Sequence, residues 1–105
     1  MTRRNTDSQR AVHVIGLFGL LAGCGPITYA FDVRTAEDIV AQARAENADY
    51  YAPYELYFAE AQLAKAREEA AEGHYEDALD MVGVAEAYGR RALERSARPG
   101  ERSAR

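Results

Sequence analysis

The sequence predicts an all-α protein: a small antiparallel helical hairpin that a third, shorter helix completes as a three-helix bundle. Three observations predict it. After Thr35 the apolar residues recur at spacings of three and four, the period of one helix face. Pro53 and Gly73 stand where helices start and stop. The chain has 105 residues, 48% apolar and 29% charged, which suits one globular domain. A formal net charge of −4 argues against nucleic acid as a partner.

Residues 1–23 stand apart from the bundle. Arg3, Arg4 and Arg10 form a basic front, and Ala11 to Ala22 is an apolar run interrupted only by His13. A membrane span needs about 20 apolar residues. This run is shorter and suits the core of a signal peptide, expected as an isolated helix. It ends Leu21-Ala22-Gly23-Cys24, and Cys24 is the single cysteine. One cysteine can form neither an internal disulfide nor a CxxC motif. The four residues resemble the lipobox of bacterial lipoproteins. That resemblance implies cleavage between Gly23 and Cys24, diacylation of the Cys24 thiol by chains such as palmitate, and a third chain on the new amino group. Stable anchoring takes more than one acyl chain, so a triacylated cysteine holds the membrane without a spanning helix. Gly25 follows Cys24 where an Asp would resemble an inner-membrane retention signal. In a Gram-negative cell this implies the periplasmic side of the outer membrane. An uncleaved anchor helix with an incidental cysteine is the other reading. The Arg3-Arg4 pair is followed by Asn5-Thr6-Asp7, not by the apolar pair of twin-arginine export.

Residues 24–34 read as a lipidated tether. Gly25 and Pro26 carry no helical pattern, so an extended arm is expected, and the alternation of Tyr29, Phe31 and Val33 leaves a short strand open. Residues 35–98 read as the helical domain. Thr35-Ala36-Glu37-Asp38 fits a capped helix start. Ala36, Ile39, Val40 and Ala43 then give one stripe, for a helix of roughly residues 36–48 that ends before Pro53. Pro53 suits a first helical position, and Leu56, Ala59, Leu63, Ala66 and Ala70 form the next seam. Gly73 stops that helix. Tyr75, Ala78, Val82, Ala85, Gly89 and Ala92 form the last seam, with Glu76 and Asp77 at its start and Arg90, Arg91 and Arg95 towards its end, as the helix dipole favours. Glu86–Arg90 and Glu94–Arg98 are spaced for ion pairs one turn apart. The short turn at Gly73-His74 makes the last two helices antiparallel, and their Ala and Gly seams allow close approach. Residues 99–105, opened by Pro99-Gly100, read as a disordered basic tail. A core built largely of Ala buries little apolar area, so the monomer is expected to be weakly stable and to gain from self-association or a partner.

Two further resemblances follow. Gly73, Tyr75, Ala78 and Ala85 in "GHYEDALDMVGVAEAY" resemble the second half of a tetratricopeptide repeat, although one hairpin makes no array. Ala52-Pro-Tyr-Glu55 and Lys65-Ala-Arg-Glu-Glu69, with the Ala-rich helix after them, resemble a family of short bacterial lipoproteins catalogued as domain of unknown function 4398. That resemblance implies an envelope location, an all-helical hairpin and, as a partner, an OmpA-like protein. It carries no catalytic residues and no cofactor.

Enzyme chemistry is not expected. Past the cleavage point His74 is the one histidine, Cys24 is acylated, and Ser96 and Ser103 lie near the tail, so no nucleophile–base–orienter set assembles. Glu37-Asp38, Glu68-Glu69 and Glu76-Asp77 are adjacent pairs, which point about 100° apart on a helix and read as solvated surface. No metal-binding spacing occurs, and His74 reads as a capping residue. The remaining feature is Tyr50, Tyr51, Tyr54, Tyr57 and Phe58 within nine residues. Either they fill one end of the bundle, or they form an interaction surface, since Tyr is enriched at interfaces. Two functions are therefore carried forward. One is a lipid-anchored, non-catalytic envelope module for protein interaction or structure. The alternative is a module that binds peptidoglycan or lipid through the Tyr-rich region and the terminal arginines.

Overall fold

The computed structural model describes residues 24–98. The expected signal segment 1–23 and the expected disordered tail 99–105 lie outside the described residues. Four helices follow in order: α1 (Cys24–Ala45), α2 (Ala48–Tyr51), α3 (Pro53–Ala71) and α4 (Tyr75–Ala97). The single turn α2 links α1 to α3, and the turn at Gly73 links α3 to α4, so the architecture is the expected all-α bundle of three long helices. Helix α4 lies between the other two: α1 packs parallel to it, with Gly25 beside Tyr75 and Ile39 beside Gly89, and α3 packs antiparallel to it. Among the described residues no helix is long and apolar enough to cross a membrane.

The extended arm expected at 24–34 is instead the first three turns of α1. Two signals misled. Gly25 and Pro26 look like helix breakers, but they sit in the first turn, where backbone N–H groups have no intrahelical acceptor and a missing one costs nothing. The alternation of Tyr29, Phe31 and Val33 is an accident of two overlapping faces. Tyr29 and Val33 continue the stripe of Ala36 and Val40 onto the core, while Phe31 points to solvent. Thr35 is accordingly mid-helix and caps nothing; its hydroxyl donates to the Phe31 carbonyl at 3.2 Å.

Helix α1 stops at Ala45, short of the expected end near residue 48, because Asn47 adopts the left-handed conformation at φ 60°. Asn is one of the few residues with a side chain that visits this region readily. The turn redirects the chain into α2, whose Ala48 is buried together with Ala52 under the end of the bundle. Pro53 then occupies the first turn of α3 as expected. The stop at Gly73 is a Schellman motif: φ is +84°, the Gly73 N–H donates to the Ala70 carbonyl at 3.0 Å, and the His74 N–H donates to the Glu69 carbonyl at 2.9 Å. A side chain with a Cβ would strain that backbone.

The core consists of Ala36, Val40, Ala43, Ala48, Ala52, Leu56, Ala59, Leu63, Ala66, Ala78, Val82, Ala85 and Ala92. Leu56 and Val82 are its largest fully buried side chains. Gly89 marks a close approach of α1 to α4: a Cβ placed there would lie 3.1 Å from Cγ2 of Ile39 and 3.2 Å from Cγ2 of Val40.

These contacts fix how α4 tolerates volume. Ala85→Leu inserts three carbons at a fully buried seam position and should cost about 1–3 kcal/mol, measured by denaturant unfolding. Gly83 is exposed, and an added Cβ there meets nothing within 4 Å. Gly83→Ala should therefore raise stability by about 0.4–1 kcal/mol in the same assay, through the entropy of the unfolded chain.

Candidate functional site

Cys24 is the first residue of α1 and is exposed, so its thiol is open to modification. Gly23, the other residue of the expected cleavage point, lies outside the described residues.

The Tyr-rich stretch splits into two groups. Tyr50 and Tyr51 on α2 meet edge to face with ring centroids 5.0 Å apart. On α3, Tyr54 and Phe58 stack at 5.9 Å, and both reach across to Tyr88 of α4, at 6.3 Å and 4.4 Å. The Arg91 guanidinium lies over the Tyr88 ring at 4.8 Å, within cation–π range. Tyr54 is 66% exposed, and Tyr50 and Tyr57 are also exposed. These three do not fill the end of the bundle; Ala48, Ala52 and Leu56 do. The outcome is a partly exposed aromatic cluster that spans α3 and α4. Tyr88 and Arg91 were not anticipated as members, yet a signal existed. Phe58 and Tyr88 stand fifteen residues on either side of Gly73, so an antiparallel hairpin turning there must bring them level.

Beneath this surface, Glu55 is buried and its carboxylate pairs with the Arg95 guanidinium, which stays half-exposed. This tie joins the first turn of α3 to the last turn of α4. Ser96, buried beside it in sequence, donates to the Ala92 carbonyl at 2.7 Å.

A shallow groove of about 430 Å³ runs between α1 and α3, with Val40, Ala41 and Leu63 as its apolar lining. Glu37, Arg44, Glu60 and Arg67 line the rest. These charges pair across it: Arg44 donates through Nε (2.8 Å) and Nη2 (2.6 Å) to Glu60, and Arg67 donates to Glu37 at 2.5 Å. No tyrosine lines the groove.

At the α3–α4 turn, Glu69, Glu72 and His74 bring ligand-type atoms within 4.8 Å of one another. The expected capping role of His74 takes a different form. His74 holds the N-cap position of α4, but its side chain makes no cap bond there. Its Nδ1 instead lies 3.0 Å from Glu69, at the negative C-terminal end of α3. Lys65 occupies the other Glu69 oxygen at 3.2 Å, so a cation is already in place on that carboxylate. The Glu69 hydrogen bond raises the His74 pKa above its ordinary value, against partial desolvation, and the same bond lowers that of Glu69.

Two outcomes follow. A His pKa raised by folding stabilises fully below its unfolded value of about 6.5, and the gain is lost as pH rises through the folded pKa. A depressed Glu pKa gives the converse, lost only as pH falls below about 4.5 through the folded pKa. The excess melting temperature of the native chain over His74→Ala should therefore be greatest between these limits and vanish in alkali, and in Glu69→Gln the His74 titration should move back towards 6.5 by NMR. Separately, Arg95→Ala should cost about 1–3 kcal/mol because it strands a buried carboxylate, whereas Glu55→Leu combined with Arg95→Leu should recover most of that loss in urea unfolding.

Comparison with known proteins names no activity. No curated protein and no solved structure matches the chain. A family model described as "Domain of unknown function (DUF4398)" matches residues 32–105, which takes in most of α1, the whole hairpin and both members of the Glu55–Arg95 pair. By that match the chain belongs to the DUF4398 family.

Proposed function

We propose that this chain is a lipid-anchored envelope protein that works without catalysis, by docking a protein partner on its aromatic surface. The observation that carries the docking role is the packed set Tyr54–Phe58–Tyr88, with Tyr54 exposed and Arg91 over the Tyr88 ring. Tyr, Phe and Arg are the side chains enriched at protein interfaces, and large rings held in place by neighbours lose little entropy on binding. The lipobox residues ending at Cys24, and the exposure of that thiol, support the anchor. In a Gram-negative cell the absence of Asp after Cys24 favours the outer membrane, where an OmpA-like protein is one candidate partner and a second copy of the chain is another. A peptidoglycan- or lipid-binding module has less support. Among the described residues the groove between α1 and α3 is one concave feature, and its charges are paired and its lining holds no aromatic ring.

Two measurements test this reading. Cys24→Ala should leave an unprocessed precursor without acyl chains by mass spectrometry; a mature, acylated variant would refute the anchor. A photo-crosslinking residue in place of Tyr54 should give a discrete envelope-protein adduct in cells, which Phe58→Ala weakens and which the same residue at exposed Gln42 does not form. Equal, diffuse crosslinking from both positions would refute the docking surface.

A further inference from the structure

We propose that the outer face of the first two turns of α1, formed by Cys24, Ile27 and Phe31, lies in the boundary between headgroups and acyl chains of the membrane that holds Cys24. The inference rests on the anchoring reading above and adds a second contact to it, through the fold itself.

Ile27 is 61% exposed and Phe31 70% exposed, although the same helix buries Ala36, Ile39, Val40 and Ala43. Positions 24, 27 and 31 are spaced three and four apart, so they share one face. The opposite face is occupied, because Gly25 lies against Tyr75, and Tyr29 and Val33 pack on the core. The exposed stripe is thus a face for which α4 has no room.

The composition of the stripe suits lipid. Residues 24–31 carry no charged side chain; Asp32 and Arg34 are the first. Within the stripe Thr28 is the polar neighbour, and Thr35 follows one turn on; each donates its hydroxyl within the helix, Thr28 to the Cys24 carbonyl at 2.9 Å and Thr35 to the Phe31 carbonyl at 3.2 Å, while the charged Arg34 and Asp38 end the apolar face beyond Phe31. With these donors already satisfied, the cost of taking the face out of water falls. From Cys24 to Phe31 the face extends about 10 Å along the helix axis, and a helix lying in the membrane plane sinks such an apolar face about 5–10 Å. Arg34 then stands where a long basic side chain can return its charge to the headgroups.

The bilayer is the occupant because of where the chain comes from. The apolar run Ala11 to Ala22 ends two residues before α1. Acyl chains on Cys24, once that run is cleaved away, put residue 24 at the membrane surface. A protein partner for Ile27 and Phe31 would have to fit within about two helical turns of the lipid.

The test uses the full chain, produced in a lipoprotein-processing bacterium, checked for acyl chains by mass and reconstituted in phosphatidylethanolamine–phosphatidylglycerol vesicles. Thr28→Cys places an environment-sensitive fluorophore inside the stripe while leaving Ile27 and Phe31 intact; Gln42→Cys is the control. Quenching by lipids spin-labelled near the glycerol backbone should be several-fold stronger at position 28 than at position 42. It should fall to the level of position 42 when Ile27→Ser and Phe31→Ser are added, with acylation and circular dichroism unchanged. Equal quenching at both positions in an acylated, vesicle-bound protein would overturn the lipid contact and leave the anchor standing. Absence of acyl chains in the mass spectrum would overturn both.

Discussion

The fold depends on the smallness of α4. Ala78, Val82, Ala85, Gly89 and Ala92 form its buried side, and both α1 and α3 must lie against this one helix. Small side chains let two backbones approach it together. At Gly89 the approach is tight enough that Ile39 and Val40 stand where a Cβ would press on them. The bundle therefore trades the large buried area of Leu-rich cores for many short contacts. Dispersion gained over a close, even surface compensates in part for the little apolar area each Ala removes from water.

That economy shapes everything outside the core. Since α1 and α3 both face α4, they meet each other only along a shallow groove, and Arg44–Glu60 and Arg67–Glu37 close over it. Exposed pairs of this kind add little stability individually. Their spacing along both helices nevertheless favours one antiparallel alignment over its neighbours. The large aromatic side chains have no place in so thin a core. They lie on the outside of the α3–α4 seam instead, where the same register that seats Ala59 and Ala85 brings Phe58 level with Tyr88.

The hairpin could be read from the sequence because its signals are local. Pro53, Gly73 and the three-and-four spacing of small apolar residues each specify backbone geometry without reference to distant partners. The beginning of α1 could not. Its first three turns contain Gly25 and Pro26, and what holds them helical is packing of Tyr29 and Val33 onto the core, with Tyr29 also facing Tyr75 at 6.2 Å, a tertiary effect that overrides propensity. The end of α1 was missed for the opposite reason: a single Asn in a left-handed conformation decides it, and Asn also occurs in ordinary helices. At the site, the exposure of Tyr54 and the partner of Glu55 depend on which helix covers which, and periodicity alone does not say that.

The parallel arrangement of α1 and α4 has a mechanical consequence. Cys24 leads directly into α1, with no slack segment to take up strain, and α1 lies along α4 from Gly25 beside Tyr75 to Ile39 beside Gly89. Tension applied at Cys24 and resisted at Tyr54 or Tyr88 pulls α1 lengthwise past its neighbour. Every contact along the interface is then loaded together, in shear, and none can be peeled open ahead of the rest.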